Sequence, residues 1–206
     1  MNHRSADSRV MKKVSGRAVV PKSRILKVAL DLFSSKGYEE TKMSEIARRV
    51  GLSVGALYLR FRSKEDLCLE LIRDQTKDYD ELARRFTGAG VDPVQALGDY
   101  IEFCLEYAFR KKQLLSMFMR EYRLHFIGPL RKTFLKSQHR IIRDILVAGA
   151  EKGVFRPMNY DDAALMIFAG IRGVILLKII FGTGDAKTMS KSLFQLITDG
   201  IRKDTQ

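Results

Sequence analysis

The sequence predicts an all-α protein: a small N-terminal three-helix unit followed by a larger helical body, about nine helices in total. Three observations carry this. Apolar residues recur three and four apart in segment after segment, the spacing of one helix face. Gly, Pro, hydroxyl and Asx residues punctuate those segments at positions suited to helix ends. No run alternates apolar and polar residues in the manner of a half-buried strand. The chain has 206 residues, 46% hydrophobic and 30% charged, ample for a sizeable core in one or two domains.

Residues 1–21 are polar and basic, with Arg4, Arg9, Lys12, Lys13 and Arg17 against Asp7, and Pro21 closes the segment. A flexible arm is expected, which either lies along nucleic-acid phosphates or has no specific role. Ile25, Ala29, Leu32 and Phe33 give residues 22–36 one apolar face, and Gly37 is placed to end that helix. Tyr38 should pack in the bend that follows, and the Thr41 hydroxyl should cap the next helix. Within 43–50, Ile46, Ala47 and Val50 share a side. Gly51 then supplies a turn tolerant of left-handed backbone, and Ser53 caps a second short helix over 54–61 with Leu57 and Phe61 inward. Ser63-Lys64-Glu65-Asp66 offers a hydroxyl with an acid three residues on. A further helix should start there and reach about 87, turning Leu67, Leu71, Tyr79 and Leu82 inward.

Gly88-Ala89-Gly90 breaks the pattern, and Asp92-Pro93 reads as a cap with proline in the first turn of a helix over 93–111. A break around Arg110-Lys111-Lys112 precedes a short apolar-rich helix to about 125. Gly128-Pro129 punctuates again before a long helix over 130–151. Residues 161–181 are the most hydrophobic stretch, where Arg172 and Lys178 favour a buried helix over a membrane span. Gly182-Thr183-Gly184 leads into a final amphipathic helix over 186–202.

Residues 43–67 carry the functional signal. Two short helices joined by a Gly-containing turn form a helix-turn-helix, whose second helix enters the DNA major groove. Ser44-Glu45-Ile46-Ala47, Gly51-Leu52-Ser53-Val54-Gly55, Leu57-Tyr58, Phe61 and Ser63-Lys64-Glu65 stand in an ordered series. The stretch closely resembles the DNA-binding signature of the TetR family of bacterial transcriptional regulators.

That resemblance implies a flexible arm over 1–21, a helix-turn-helix head over 22–66, and a helical effector-binding and dimerisation domain over 67–206. In the head, Ser53, Val54, Gly55 and Ala56 stand where small residues approach base edges, and the Tyr58 hydroxyl is expected on a phosphate. Arg60 reaches a base or phosphate, Lys64 meets the backbone at the next helix's positive end, and Thr41 and Lys42 are backbone contacts. Arg60 departs from the His or other polar residue often found there, so base preference does not carry over. The middle helices, 93–151, would enclose an effector pocket lined by Phe103, Tyr107, Met117, Phe118, Glu121, Tyr122 and Phe126. The last two helices resemble a dimerisation pair, contributing Phe168, Ala169, Arg172, Gly173, Leu176, Leu193, Phe194 and Ile197 to a four-helix bundle in a two-fold homodimer. The expected protein is a cytoplasmic repressor that binds a palindromic double-stranded operator as a homodimer. A small apolar or amphipathic effector releases it, and no membrane is involved.

Charge agrees with a polyanionic partner. The net charge is +13, with 15 Lys and Arg against 7 Asp and Glu in residues 1–66, and 22 against 17 in the remainder. A rival reading is a nonspecific basic helical protein on DNA or an anionic surface, with steep salt dependence and no preferred sequence. Catalysis finds little support. Cys68 and Cys104 have no metal or disulfide spacing; His3, His125 and His139 are dispersed; no nucleophile motif or phosphate loop is present. No cofactor, metal or enzymatic activity is expected. The N-terminus has no apolar signal core, which favours the cytoplasm.

Overall fold

Burial of one stripe per helix sets the architecture. The computed structural model describes residues 19–202 apart from 89, 121–123 and 183–184. Among these, α1 (Lys22–Lys36), α2 (Met43–Val50), α3 (Val54–Tyr58) and α4 (Lys64–Thr76) form the N-terminal end. α5 (Tyr79–Ala83), α6 (Pro93–Arg110), α7 (Lys112–Arg120), α8 (Gly128–Glu151), α9 (Tyr160–Phe181) and α10 (Ala186–Ile201) follow, with 3-10 turns at Arg84–Phe86 and His125–Ile127. The described residues contain no strand, only an isolated antiparallel bridge between Phe155 and Arg202. The protein is all-α, as its sequence predicts.

Local chemistry fixes the helix starts. The Ser53 hydroxyl accepts from the Ala56 amide at 3.1 Å, and the Ser63 hydroxyl from the Asp66 amide at 3.0 Å. Asp66 in turn accepts from the Arg62 amide, one residue before the cap, at 2.9 Å. Asp92, Asn159 and Asp185 cap α6, α9 and α10 in the same manner. Gly51 takes φ +79°, the left-handed turn between α2 and α3 that a side chain would strain. Two expectations change here. α2 has no side-chain cap, because the Thr41 hydroxyl instead donates to the Gly37 carbonyl at 2.7 Å. Gly128-Pro129 opens α8 rather than preceding it, since proline is tolerated in a first turn.

Two hydrophobic clusters result. The first joins α1, α2 and α3 to Leu67, Cys68, Leu71 and Ile72 of α4. It also takes Leu114 and Met117 of α7 and Ile127. A forty-five-residue head is small for a self-sufficient core, and it rests on α4 and α7. The second cluster unites α5, α6, α8, α9 and α10 around Tyr79, Tyr100, Phe103 and Phe155.

The helix expected from 63 to about 87 is broken at Lys77 and Asp78 into α4 and α5. A side chain from another helix accounts for the break. The Tyr107 phenol of α6 lies 3.0 Å from the Gln75 carbonyl and 2.7 Å from Asp78 Oδ1, its one proton shared between them. A donor inserted at the Gln75 carbonyl competes with the amide that would continue the helix.

α9 has two apolar faces. Ala164, Ile167, Ile171 and Ile175 are buried on one, while Leu165, Met166, Leu177, Ile180 and Phe181 are exposed on the other. The helix is long and apolar enough to cross a membrane by length and composition, yet its inner face packs in the second cluster.

Gly149 provides the closest approach in the body. A methyl group there would stand 2.1 Å from Phe155, a ring 1% exposed. Gly149→Ala is therefore expected to lower unfolding free energy by about 1–3 kcal/mol through overpacking. An unobstructed helical Gly→Ala change would raise it by up to about 1 kcal/mol. Urea unfolding at fixed protein concentration reads the sign, and a stabilised variant would contradict this seating of Phe155.

Candidate nucleic-acid interface and effector cavity

The reading helix is anchored from below and bare above. Leu57 and Phe61 are 0% and 1% exposed, fixing α3 on the head core. Ser53, Val54, Gly55, Tyr58, Leu59 and Arg60 are exposed and Ala56 is half-buried, so small groups at the helix start and a phenol share one surface. Leu59 was not among the expected contacts. It is 90% exposed directly between Tyr58 and Arg60. The sequence carries this helix on to Phe61, whereas it stops at Tyr58 and leaves Leu59 just past its end. Arg60 donates to the Val20 carbonyl, which ties the chain before α1 to the end of the reading helix. Its guanidinium keeps further donors for a phosphate.

Lys42 stands exposed at the start of α2. Thr41 and Lys64, expected on the DNA backbone, are engaged within the head. Thr41 is 1% exposed, out of a phosphate's reach, with its hydroxyl on Gly37. Lys64 donates to the Tyr38 and Glu39 carbonyls at 2.8 and 3.1 Å, with its ammonium 4.3 Å from the Tyr38 ring centroid. It clamps the α1–α2 bend onto the start of α4.

A cleft of about 540 Å³ opens beside the lower half of α4, lined by Ile72, Thr76, Leu115, Phe118, Leu130 and Phe134 with Asp80, Arg131, Thr133, Leu135 and Arg172. It adjoins an inner cavity of about 50 Å³ that reaches Tyr79, Cys104, Tyr107 and Ile175. Thr76, Leu115, Phe118, Phe134 and Arg172 line both. The larger volume lies in the range of small-molecule pockets.

Of the pocket residues expected from sequence, Tyr107 and Phe118 line this space. Met117 is 0% exposed in the head cluster, and Phe126 stacks on Tyr38 with ring centroids 5.2 Å apart. Met117 faces the head because α7 packs against α1, where the Gln113 amide donates to Asp31 at 2.9 Å, and Phe126 follows on the 3-10 turn after α7. Phe103 packs on Tyr79 and Phe86 and borders a separate surface groove. Glu121 and Tyr122 lie outside the described residues. Ile72, Thr76, Leu115 and Phe134 went unnoticed because their spacing is that of ordinary core.

The phenols and the thiol at the inner cavity are held neutral. Tyr79 and Tyr100 hydroxyls lie 2.8 Å apart, and Tyr79 is 3.4 Å from Cys104 Sγ. Burial raises both phenols well above their ordinary range and pushes the Cys104 thiol up to about 11. A thiol so protonated is no nucleophile at neutral pH. No metal-ligating group of three or more His, Cys, Asp or Glu occurs among the described residues.

The expected dimer residues divide between two faces. Ala169 and Leu176 are exposed and Gly173 is half-exposed. Phe168, Leu193, Phe194 and Ile197 pack on the second cluster of their own chain, and Arg172 turns to the cavities. The apolar surface instead presents Leu165, Met166, Leu177, Ile180, Phe181 and, on α10, Leu196. A helix apolar all round gives no sequence signal for which side faces out.

A family model described as bacterial regulatory proteins, tetR family, matches residues 25–71, the head and the first half of α4. The HTH-type transcriptional regulator YdgC of Bacillus subtilis is 38% identical over 193 residues, covering 91% of this chain and 96% of that protein. The chain belongs to the TetR family. It is a helix-turn-helix transcriptional regulator, and the match spans head and body together. Among solved structures, the transcriptional regulator FadR of Bacillus subtilis, in complex with stearoyl-CoA, superposes with TM-score 0.75 at 22% identity, covering 88% of this chain and 100% of that one. NalD of Pseudomonas aeruginosa, a secondary repressor of a multidrug efflux pump, gives TM-score 0.76 at 22% identity over 89% and 98%. These likenesses carry the fold.

The two lysines should separate experimentally. Lys42→Ala is expected to reduce the slope of log affinity against log salt by about one, with folding stability unchanged. Lys64→Met should instead lower the melting temperature and leave that slope alone. DNA binding by salt titration, beside thermal unfolding, reads both; a reduced slope for Lys64→Met would return it to the interface.

Proposed function

We propose that this TetR-family regulator is a homodimeric repressor that binds a palindromic operator and releases it when a small apolar or amphipathic molecule fills the cleft beside α4. One observation carries the reading. α4 belongs to both sites: Leu67, Cys68 and Leu71 pack in the head, while Ile72 and Thr76 line the cleft. A ligand there touches the helix that supports the reading surface. Repression is supported by relatives of this fold that are named repressors, and effector binding by FadR with stearoyl-CoA.

The ligand acts by preferring one arrangement of the heads. It must bind the operator-incompetent dimer better than the competent one, and by linkage the operator opposes the ligand equally. Two heads in a dimer would meet successive major-groove segments one helical turn apart, about 34–36 Å. The exposed stripe of Met166, Leu177 and Ile180 supports pairing of α9 and α10 with a second copy. In this reading residues 1–21 are an arm, 22–66 read DNA, and 67–206 bind effector and partner. The protein acts in the cytoplasm by binding, without turnover, cofactor or membrane.

Selection of bound sequences from a random duplex pool tests the reading. One inverted repeat should be enriched, and Tyr58→Phe should bind it roughly three- to tenfold more weakly, the worth of one phosphate hydrogen bond. Ile180→Glu should yield monomers in sedimentation and lose that repeat. Salt-sensitive binding with no enriched sequence would leave the nonspecific binder in its place.

A further inference from the structure

Arg172 is the anomaly of the cavity. It sits on α9, the most apolar helix, and is half-buried where the outer cleft meets the inner cavity. Among the described residues no carboxylate lies within ion-pairing distance of it and no hydrogen bond satisfies its guanidinium. Its neighbours are the neutral Tyr79 phenol, the Cys104 thiol and the Phe168 ring, whose centroid is 6.0 Å from the guanidinium carbon. Burial lowers its pKa only from a very high ordinary value, and an arginine stays protonated in proteins.

A cation held away from water without a partner is costly, and one ring at that distance offsets little of the cost. Other charges of the cavities are engaged or solvated. Lys111 donates to Gln75 Oε1 at 3.4 Å, Arg131 already has a partner, and Asp80 is exposed and accepts from the Ser137 hydroxyl at 2.6 Å. Among the described residues Arg172 therefore contributes an unpaired positive charge to a mostly apolar site. Its planar fork of donors matches a carboxylate or another oxyanion in two parallel hydrogen bonds.

Resting on the effector reading above, we propose that the effector is an amphipathic oxyanion. Its head group pairs with Arg172, and its apolar body lies against Ile72, Leu115, Phe118, Leu130 and Phe134. The same charge selects against cationic amphiphiles, which would bring a second positive group into the cavity.

Calorimetric titration with three ten-carbon probes tests this: decanoate, decanol and decyltrimethylammonium at neutral pH. The wild-type protein should bind decanoate roughly ten- to hundredfold more tightly than decanol, the range of a charge-assisted hydrogen bond, and the ammonium most weakly. Arg172→Met should abolish the preference for decanoate while decanol affinity changes little. Arg172→Lys, which keeps the charge and loses the fork, should give an intermediate preference and serves if the methionine variant does not fold. No decanoate binding, equal binding of decanol, or an unchanged preference in Arg172→Met overturns the assignment. Titrating the selected operator separates the two readings. Decanoate bound through Arg172 without effect on DNA upholds the head-group site and sinks the coupling. Decanol releasing the operator as well as decanoate does the reverse.

Discussion

The hydroxyl of Tyr107 against the Gln75 carbonyl decides where α4 stops, and most of the molecule follows from that stop. A continuous helix to residue 87 would carry Tyr79 round a different arc and away from Tyr100 and Cys104. Broken at Lys77 and Asp78, the chain instead sends Tyr79 into the second core, where its ring meets Phe103, Tyr107 and Phe134. At its other end α4 is held by the Ser63 cap and by Lys64 across the α1–α2 bend. α4 is thus tied at both ends, with the cleft along its lower half, and the proposed coupling runs through it.

α9 answers two demands with one composition. Its inner face fills the body through Ile167, Ile171 and Ile175, and its outer face leaves Met166, Leu177 and Ile180 exposed. Between these stripes Arg172 enters the cavity, where an apolar residue would pack at lower cost. In the proposed reading that placement gives the cavity a chemical preference and sets the effector site beside the surface proposed for pairing. Occupation of one can bias the other through a single helix.

Much of the fold was legible because it is written locally. Ser53, Ser63, Asp92 and Gly51 each act within four residues, and the structure has them capping or turning as their types dictate. The family resemblance was legible for the same reason, being carried by one short run. What stayed hidden depends on distant partners. Nothing near Gln75 announces that a phenol thirty-two residues away will take its carbonyl. Thr41 and Lys64 have the chemistry of phosphate contacts, yet nearby carbonyls engage them first. Met117 and Phe126 suit a pocket as well as a core; the docking of α7 on α1 decides for Met117, and the Tyr38 ring for Phe126. Arg172 was visible as a charge in an apolar helix; which way it turned was not.

Coupling between cleft and operator is best measured from both sides at one salt concentration. The operator dissociation constant is determined with and without a saturating cleft ligand, and the ligand's constant with and without operator. Both ratios should exceed one and be equal, as linkage through a shared helix requires. A ligand that binds the cleft tightly, loses affinity on Phe118→Ala, and leaves the operator constant unchanged would contradict the role given to α4.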